Sequence, residues 1–367
     1  MPVSLGVIYP EINSLFANNI ENLRALDGIF NLSMIMILFT AGLEIRISFI
    51  LKYIKPVLLI NILGISVPFI AGYSLAWYIP KLFLHSHQDL VFSLFIGTAM
   101  SISALPVITT VLIEIKMITT KLGAIIITSA MLTDLIGWIG FSIIFKINSG
   151  SYMDYNFFKA IILNLVGLFF IFMVVNLFCN RLAKQFIIKL TYSNYVLPVS
   201  ICIALLGATT SQLLQLHSSI GAFLAGIAFA EILELNLTAK KSINQFVTSF
   251  FTPLFFVSIG FKANFIGNFN ISVTILLIVI ACLTKIFGAS LGGFIGGLTK
   301  VESLLVGVGM NTRGAMEIML SSLALNSGII SSELFVGLII MALVTSVISL
   351  PALSILKTHA SKQSNQS

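Results

Sequence analysis

The chain has 367 residues, of which 58% are hydrophobic and only 9% charged, with a mean hydropathy of +1.07. Soluble globular domains carry roughly 25% charged residues, so a bilayer suits this composition better than water does. The formal charge of +7 does not point to nucleic acid, because the basic residues are spread over loops with no dense patch and no interleaved aromatics.

A helix needs about 20 apolar residues to cross the bilayer core, and the apolar runs then read as about eleven spans of an all-α polytopic membrane protein. They are 28–47, 56–79, 90–113, 121–145, 157–179, 195–215, 218–233, 245–262, 270–298, 302–326 and 334–356. Residues 1–27 form a short N-terminal segment and 28–356 the transmembrane domain. Residues 357–367 are read as a short, polar, disordered tail. No basic n-region precedes an apolar core within residues 1–28, so no cleavable signal peptide is expected.

With the C-terminus in the cytoplasm and alternating loops, thirteen basic residues lie inside: Arg46, Lys52, Lys55, Lys116, Lys121, Arg181, Lys184, Lys189, Lys240, Lys241, Lys300, Lys357 and Lys362. Five lie outside: Arg24, Lys81, Lys146, Lys159 and Lys262. That bias predicts an outside N-terminus and a cytoplasmic C-terminus in the cell (inner) membrane. Lys285 and Arg313 remain within spans.

Two spans carry polar, breaker-containing centres. The first is Gly97-Thr98-Ala99-Met100-Ser101-Ile102-Ser103-Ala104-Leu105-Pro106, with further hydroxyls at Thr109 and Thr110. Pro106 removes a backbone donor and clashes with a preceding turn. The second is Gly307-Val308-Gly309-Met310-Asn311-Thr312-Arg313-Gly314. Unwound backbone at membrane depth must be buried in protein or line a wet cavity. Its free carbonyls and helix ends make ion sites, and matching breaks in two halves predict an inverted repeat with crossing broken helices.

Between these breaks, Asp134 is read as the only acidic residue near the middle of a span. An ionised carboxylate there costs roughly 2.5–3.5 kcal/mol on insertion scales, so it marks an ion or proton site. Lys285 is the matching rare base, in the run 271–298. Burial disfavours the ionised carboxylate, while a bound cation or a nearby ammonium restores it. Proton and cation then compete for Asp134, with oxygens of Thr133, Ser101 and Ser103 completing the shell. Lys285 has three readings: a partner of empty Asp134, a proton carrier, or a snorkelling side chain. Arg313 and Glu317, four residues apart, share a helix face and are read as an ion pair holding the second break, with direct transport as the alternative.

Other features carry less. Cys179, Cys202 and Cys282 lie in or beside apolar runs and read as small packed residues. Glu44 is assigned to an interfacial pair with Arg46 or a lysine; Glu114, Glu231 and Glu234 read as solvated acids. His85, His87 and His217 read as loop residues without the further ligands a metal needs. Gly288, Gly292 and Gly296, with Gly293 and Gly297, predict close helix packing around Lys285. No zinc-protease helix, nucleophile elbow or dinucleotide loop is present, so neither enzyme nor cofactor is expected.

Taken in order, these motifs resemble the monovalent cation:proton antiporter-2 family. The matching stretches are Leu38-Phe39-Thr40-Ala41-Gly42-Leu43-Glu44, Ser103-Ala104-Leu105-Pro106-Val107 and Thr133-Asp134-Leu135-Ile136-Gly137-Trp138. They continue with Gly221-Ala222-Phe223-Leu224-Ala225-Gly226, Pro253-Leu254-Phe255-Phe256-Val257-Ser258-Ile259-Gly260 and Asn311-Thr312-Arg313-Gly314-Ala315-Met316-Glu317. The resemblance implies a homodimer in the bilayer exchanging Na+ or K+ for H+ through Asp134, and it matches Lys285 to the family's lysine before the second broken helix. It also implies that the chain enters after the family's first two spans, just before Leu5-Gly6-Val7-Ile8-Tyr9-Pro10. Thr133 stands where electrogenic members carry Asp and many others Asn; a single carboxylate predicts electroneutral exchange. A cation channel and a truncated, non-transporting regulatory protein of the same fold remain as alternatives.

Overall fold

The computed structural model describes residues 20–44, 53–83, 89–118, 120–148, 173, 195–213, 218–233, 236–262 and 264–364. The expected span 157–179 lies outside them apart from Met173, as do Cys179, Arg46, Glu234 and His85, His87 and His217. The described elements are helical, and the chain divides into two compact units.

The first unit, Met1–Arg46 with Ser151–Gly267, contains α1 (Ile20–Leu43), α6 (Val196–Leu213), α7 (Ser218–Leu233), α8 (Leu237–Phe246) and α9 (Thr252–Lys262). Glycines let these helices touch backbone to backbone. A Cβ on Gly42 of α1 would stand 3.0 Å from the Gly226 Cα of α7, and one on Gly207 of α6 would stand 2.6 Å from the Ala225 Cβ. Two of the glycine-bearing family stretches are therefore packing seams. Phe39 and Phe229 fill the core between them. The expected span 245–262 is α9 preceded by a π-turn, Val247–Phe251, and by α8. Pro253 at the start of α9 cannot donate to the preceding turn, and a widened turn absorbs that missing bond.

The second unit, Ile47–Gly150 with Asn268–Ser367, holds α2 (Ile54–Tyr78), α3 (Leu90–Ser101), α4 (Leu105–Glu114), α5 (Lys121–Asn148), α10 (Ile271–Ile295), α11 (Lys300–Met310), α12 (Ala315–Asn326) and α13 (Ser332–Ser364). Helices α2, α5, α10 and α13 are long and apolar enough to cross a membrane, as is α6 in the first unit. On α10 the residues Ile275, Val279, Leu283 and Phe287 are exposed at four-residue spacing, a continuous apolar stripe suited to lipid. The opposite face packs on α2 through the expected glycine row. Added Cβ atoms on Gly288, Gly292 and Gly296 would lie 3.0 Å from Val67 Cβ, 2.7 Å from Ile60 Cα and 2.8 Å from Pro56 Cα.

The two expected breaks are present. Helices α3 and α4 are joined by extended Ile102–Ala104, and α11 and α12 by residues 311–314. Each half is too short to cross alone: 12 residues rise about 18 Å against a core of about 30 Å. Pro106 falls in the first turn of α4, where no intrahelical bond is lost; it starts a helix rather than kinking one. A capping box of Thr299 and Glu302 starts α11.

The expectation of a disordered tail is corrected through Ser364, because α13 continues there. Leu353 is buried among Val111 and Leu305, with Leu350 and Leu356 packed beside it. Lys357 Nζ donates to the Ile115 carbonyl at 2.6 Å, placing a cation at the C-terminal end of α4.

If the α2–α10 seam depends on absent side chains, Gly292→Ile forces the backbones apart. Overpacking of this kind costs about 1–3 kcal/mol. The expected result is a lower melting temperature for the detergent-purified protein, with Gly28→Ala on α1, whose site is open, as the comparison.

Candidate ion site

Every expected site residue belongs to the second unit. The breaks meet each other: Ala104 N–H donates to the Thr312 carbonyl at 2.8 Å, and Ser103 Oγ donates to the Met310 carbonyl at 2.6 Å. Gly314 is required by this approach, since a Cβ there would stand 2.7 Å from Val107 Cγ2 and 3.1 Å from Ala104 Cβ.

The end of α3 exposes carbonyls that no helix turn can satisfy. Arg313 Nη1 donates to Ala99 O and Nη2 to Met100 O, each at 2.6 Å, and Lys285 Nζ donates to Ser101 O. Two cations thus cap the negative end of a helix dipole. Arg313 also pairs with Glu317 at 3.2 Å, both side chains being buried. From α13, Ser346 Oγ donates to the Arg313 carbonyl, and Thr312 Oγ1 donates to Ser349 Oγ at 3.0 Å.

The N-terminal end of α4 faces the other charge. Asp134 sits midway along α5, about 20 Å from either helix end at 1.5 Å per residue. It is 2% exposed, and the Leu105 backbone N–H acts electrostatically on its carboxylate. Its Oδ1 has no hydrogen-bond partner among the described residues. Lys285 interacts electrostatically with Asp134, Arg313 and Glu317, but its ammonium is bonded to the Ser101 carbonyl rather than paired with Asp134.

Thr133 and Ser101 line a cavity of about 160 Å³ with Thr98, Ile65, Phe69 and Ile102, and the surface they present to it is almost wholly apolar. Thr133 Oγ1 lies 2.8 Å from Asn61 Oδ1 and 3.0 Å from the Ser129 carbonyl. Ser101 Oγ lies 2.7 Å from the Gly97 carbonyl and 3.1 Å from that of Ile65. Both hydroxyls therefore give their proton to an acceptor and keep lone pairs free. Asp134 does not line the cavity. Ser103 is committed to Met310, and Thr109 to its own helix at Leu105 O.

The reading of Asp134 as the sole mid-span acid is corrected: Glu317 is 1% exposed, within the second broken helix. Two acids and two bases are buried among the described residues of this unit, and Glu317 supplies the counter-charge to the guanidinium that caps α3. Among the cysteines, Cys202 is exposed rather than packed, and Cys282 accepts from Asn311 Nδ2 at 3.2 Å. In the first unit Glu44 meets Lys240 at 3.1 Å and Asn244 at 2.8 Å, and Glu114 in the second is exposed. Asn61, Ser346 and Ser349 were not singled out from the sequence. Asn61 is the one amide of the run 56–79, which is a usable signal; the serines of α13 carried none.

Paired interrupted helices with buried ionisable groups where they meet define a polytopic membrane protein. The chain belongs to the sodium/hydrogen exchanger transmembrane family, whose pattern it matches over residues 4–356. It is 26% identical over 353 residues to Cation/H(+) antiporter 17 of Arabidopsis thaliana, covering 95% of this chain and 43% of that protein. It is 26% identical over 324 residues to a Na(+)/H(+) antiporter of Enterococcus hirae, covering 87% and 81% of the two chains. The chain thus spans less than half the length of the plant relative. The sodium proton antiporter MjNhaP1 from Methanocaldococcus jannaschii shares the fold, with a TM-score of 0.61 at 17% identity over 91% of this chain and 86% of that one.

Removing one partner of the buried Arg313–Glu317 pair strands the other charge, at a cost of about 3–5 kcal/mol. Arg313→Met is expected to lower the melting temperature sharply. Arg313→Met with Glu317→Met is expected to recover part of that loss while α3 stays uncapped; a double variant less stable than Arg313→Met would contradict the pairing.

Proposed function

We propose that this chain is the membrane domain of a secondary antiporter exchanging Na+ or K+ for H+, with Asp134 binding the cation and the proton in turn. One observation carries the reading: a carboxylate buried at mid-membrane, with an unpartnered oxygen, at the positive end of a half-helix. An empty Asp134 is a net anion in a poorly solvated place. Either a proton or a monovalent cation cancels that charge, so either load relieves the same penalty. Exchange is obligatory when only the neutralised forms pass between the two sides. Thr133 and Ser101 supply neutral oxygens, which suit a hard cation. Lys285 and Arg313 hold the α3 end and set the local field. The names of the relatives, a cation/proton and a sodium/proton antiporter, support this reaction class.

The finer topology belongs to the same reading. The excess of Lys and Arg in one set of loops supports an outside N-terminus and a cytoplasmic C-terminus. A homodimer is the assembly implied by the family resemblance.

Acid-loaded proteoliposomes test this directly. Wild-type protein is expected to release protons on addition of Na+ or K+, and Asp134→Asn to fall to the leak of empty vesicles. Folded wild-type protein that moves no protons with either cation overturns the antiport reading in favour of a non-transporting role, and cation flux without proton movement overturns it in favour of a channel.

With Thr133 in place of a second carboxylate beside Asp134, exchange is expected to be one for one. Flux should then be insensitive to a potassium–valinomycin voltage clamp when Na+ is the driving ion. A rate that changes several-fold with voltage would show net charge movement.

A further inference from the structure

We infer that the cavity between α2, α3 and α5 is a lipid site, which takes the end of one acyl chain of a phospholipid whose phosphate lies at Lys81; the inference is independent of the antiport reading. The cavity holds about 160 Å³, and Ile65, Phe69, Ile102, Ile136 and Gly140 are on its wall. Ser101 and Thr133 also stand there, but their hydroxyls are hydrogen-bonded to oxygens of Ile65, Gly97, Asn61 and Ser129. The surface offered is almost wholly apolar. A buried water needs about two to four polar partners, and apolar cavities of about 150 Å³ stay dry and take benzene or xenon instead. The ligand class is therefore hydrocarbon.

Position names the source of that hydrocarbon. Ile136 lines the cavity, is 40% exposed, and lies two residues past Asp134, midway along α5. At that depth an exposed apolar side chain meets acyl chains. Along α2 a stack of rings leads away from the cavity. Phe69 on its wall stacks on Tyr73, and Tyr73 on Trp77, with centroids 6.1 Å apart in both pairs and planes within 10°. Rings at four-residue spacing share a helix face. Trp77 and Tyr78 end α2, and Trp and Tyr favour the boundary between membrane and water. Lys81 follows in the short turn Pro80–Phe83; it is exposed, and no ion pair among the described residues uses it.

Length and charge then select one occupant. From Phe69 to Tyr78 the helix rises about 14 Å. Half of a bilayer core is about 15 Å, the depth that one acyl chain spans. A chain lying on the rings with its end in the cavity has its phosphate at the level of Lys81, where ammonium and phosphate are complementary. Gly140 keeps the space open: a Cβ there would meet only Thr98 Cγ2, at 3.8 Å, so a larger side chain fits and fills the cavity.

The test compares wild type, Gly140→Leu and Lys81→Gln after delipidation in detergent. Each is titrated with palmitoyl-oleoyl phosphatidylglycerol; melting temperature and the number of lipids retained in native mass spectrometry are read. Wild type is expected to gain several degrees and to retain one phospholipid. Gly140→Leu is expected to melt higher without lipid and to need at least about 10-fold more lipid for any further gain, because its side chain stands where the acyl chain would. Lys81→Gln is expected to bind about 2- to 10-fold more weakly, the loss of one charge-assisted contact. Gly140→Ala replaces Gly140→Leu should the larger side chain fail to fold. Wild type that retains no phospholipid, Gly140→Leu that retains as much as wild type, or Lys81→Gln with an unchanged midpoint overturns the inference. Benzene that raises the wild-type melting temperature while phosphatidylglycerol does not would show a closed apolar void, and overturns it as well.

Discussion

An interrupted helix inside a membrane leaves carbonyls and amides that neither water nor a helical turn can satisfy, and the second unit is organised around that deficit. The end of α3 is negative and is met by Arg313 and Lys285. The start of α4 is positive and is met by Asp134. One break thereby sorts the buried charges, cations on one side and the anion on the other, by the sign of the dipole each faces. The second break is satisfied more quietly, by Ser103, the Ala104 amide and the hydroxyls of α13.

This arrangement explains why the site contains more charge than ion binding alone would need. Arg313 is committed to two carbonyls, and Glu317 neutralises it locally. Asp134 is left with an oxygen that no described residue fills. Unfilled acceptors are uncommon in buried protein.

Packing sets the precision. Lys285 and Asn61 reach the site from α10 and α2, two helices that touch along a row of glycines at four-residue spacing. That seam draws the two backbones into direct contact. The glycines of the Gly221–Gly226 stretch do the same work of close approach inside the first unit. Motifs that look functional because they are glycine-rich are here structural, and the chemistry resides in a few polar atoms they bring within reach.

The sequence alone determined the spans, the two breaks, and the identity of Asp134, Lys285 and Arg313 as the residues worth attention. These are legible because hydropathy, proline and glycine placement, and the cost of a charge in an apolar run are properties of a single segment. It paired Glu317 with Arg313 but did not count it as a mid-span acid, and it passed over Asn61 and the serines of α13. Only the tertiary structure decided which carbonyl each cation caps, that Lys285 holds Ser101 rather than Asp134, and that Thr133 meets Asn61. The physical reason is that a buried polar group takes its partner from whichever helix crosses it. Crossings such as 61 with 133 or 101 with 285 join residues distant in sequence, so no local pattern encodes them.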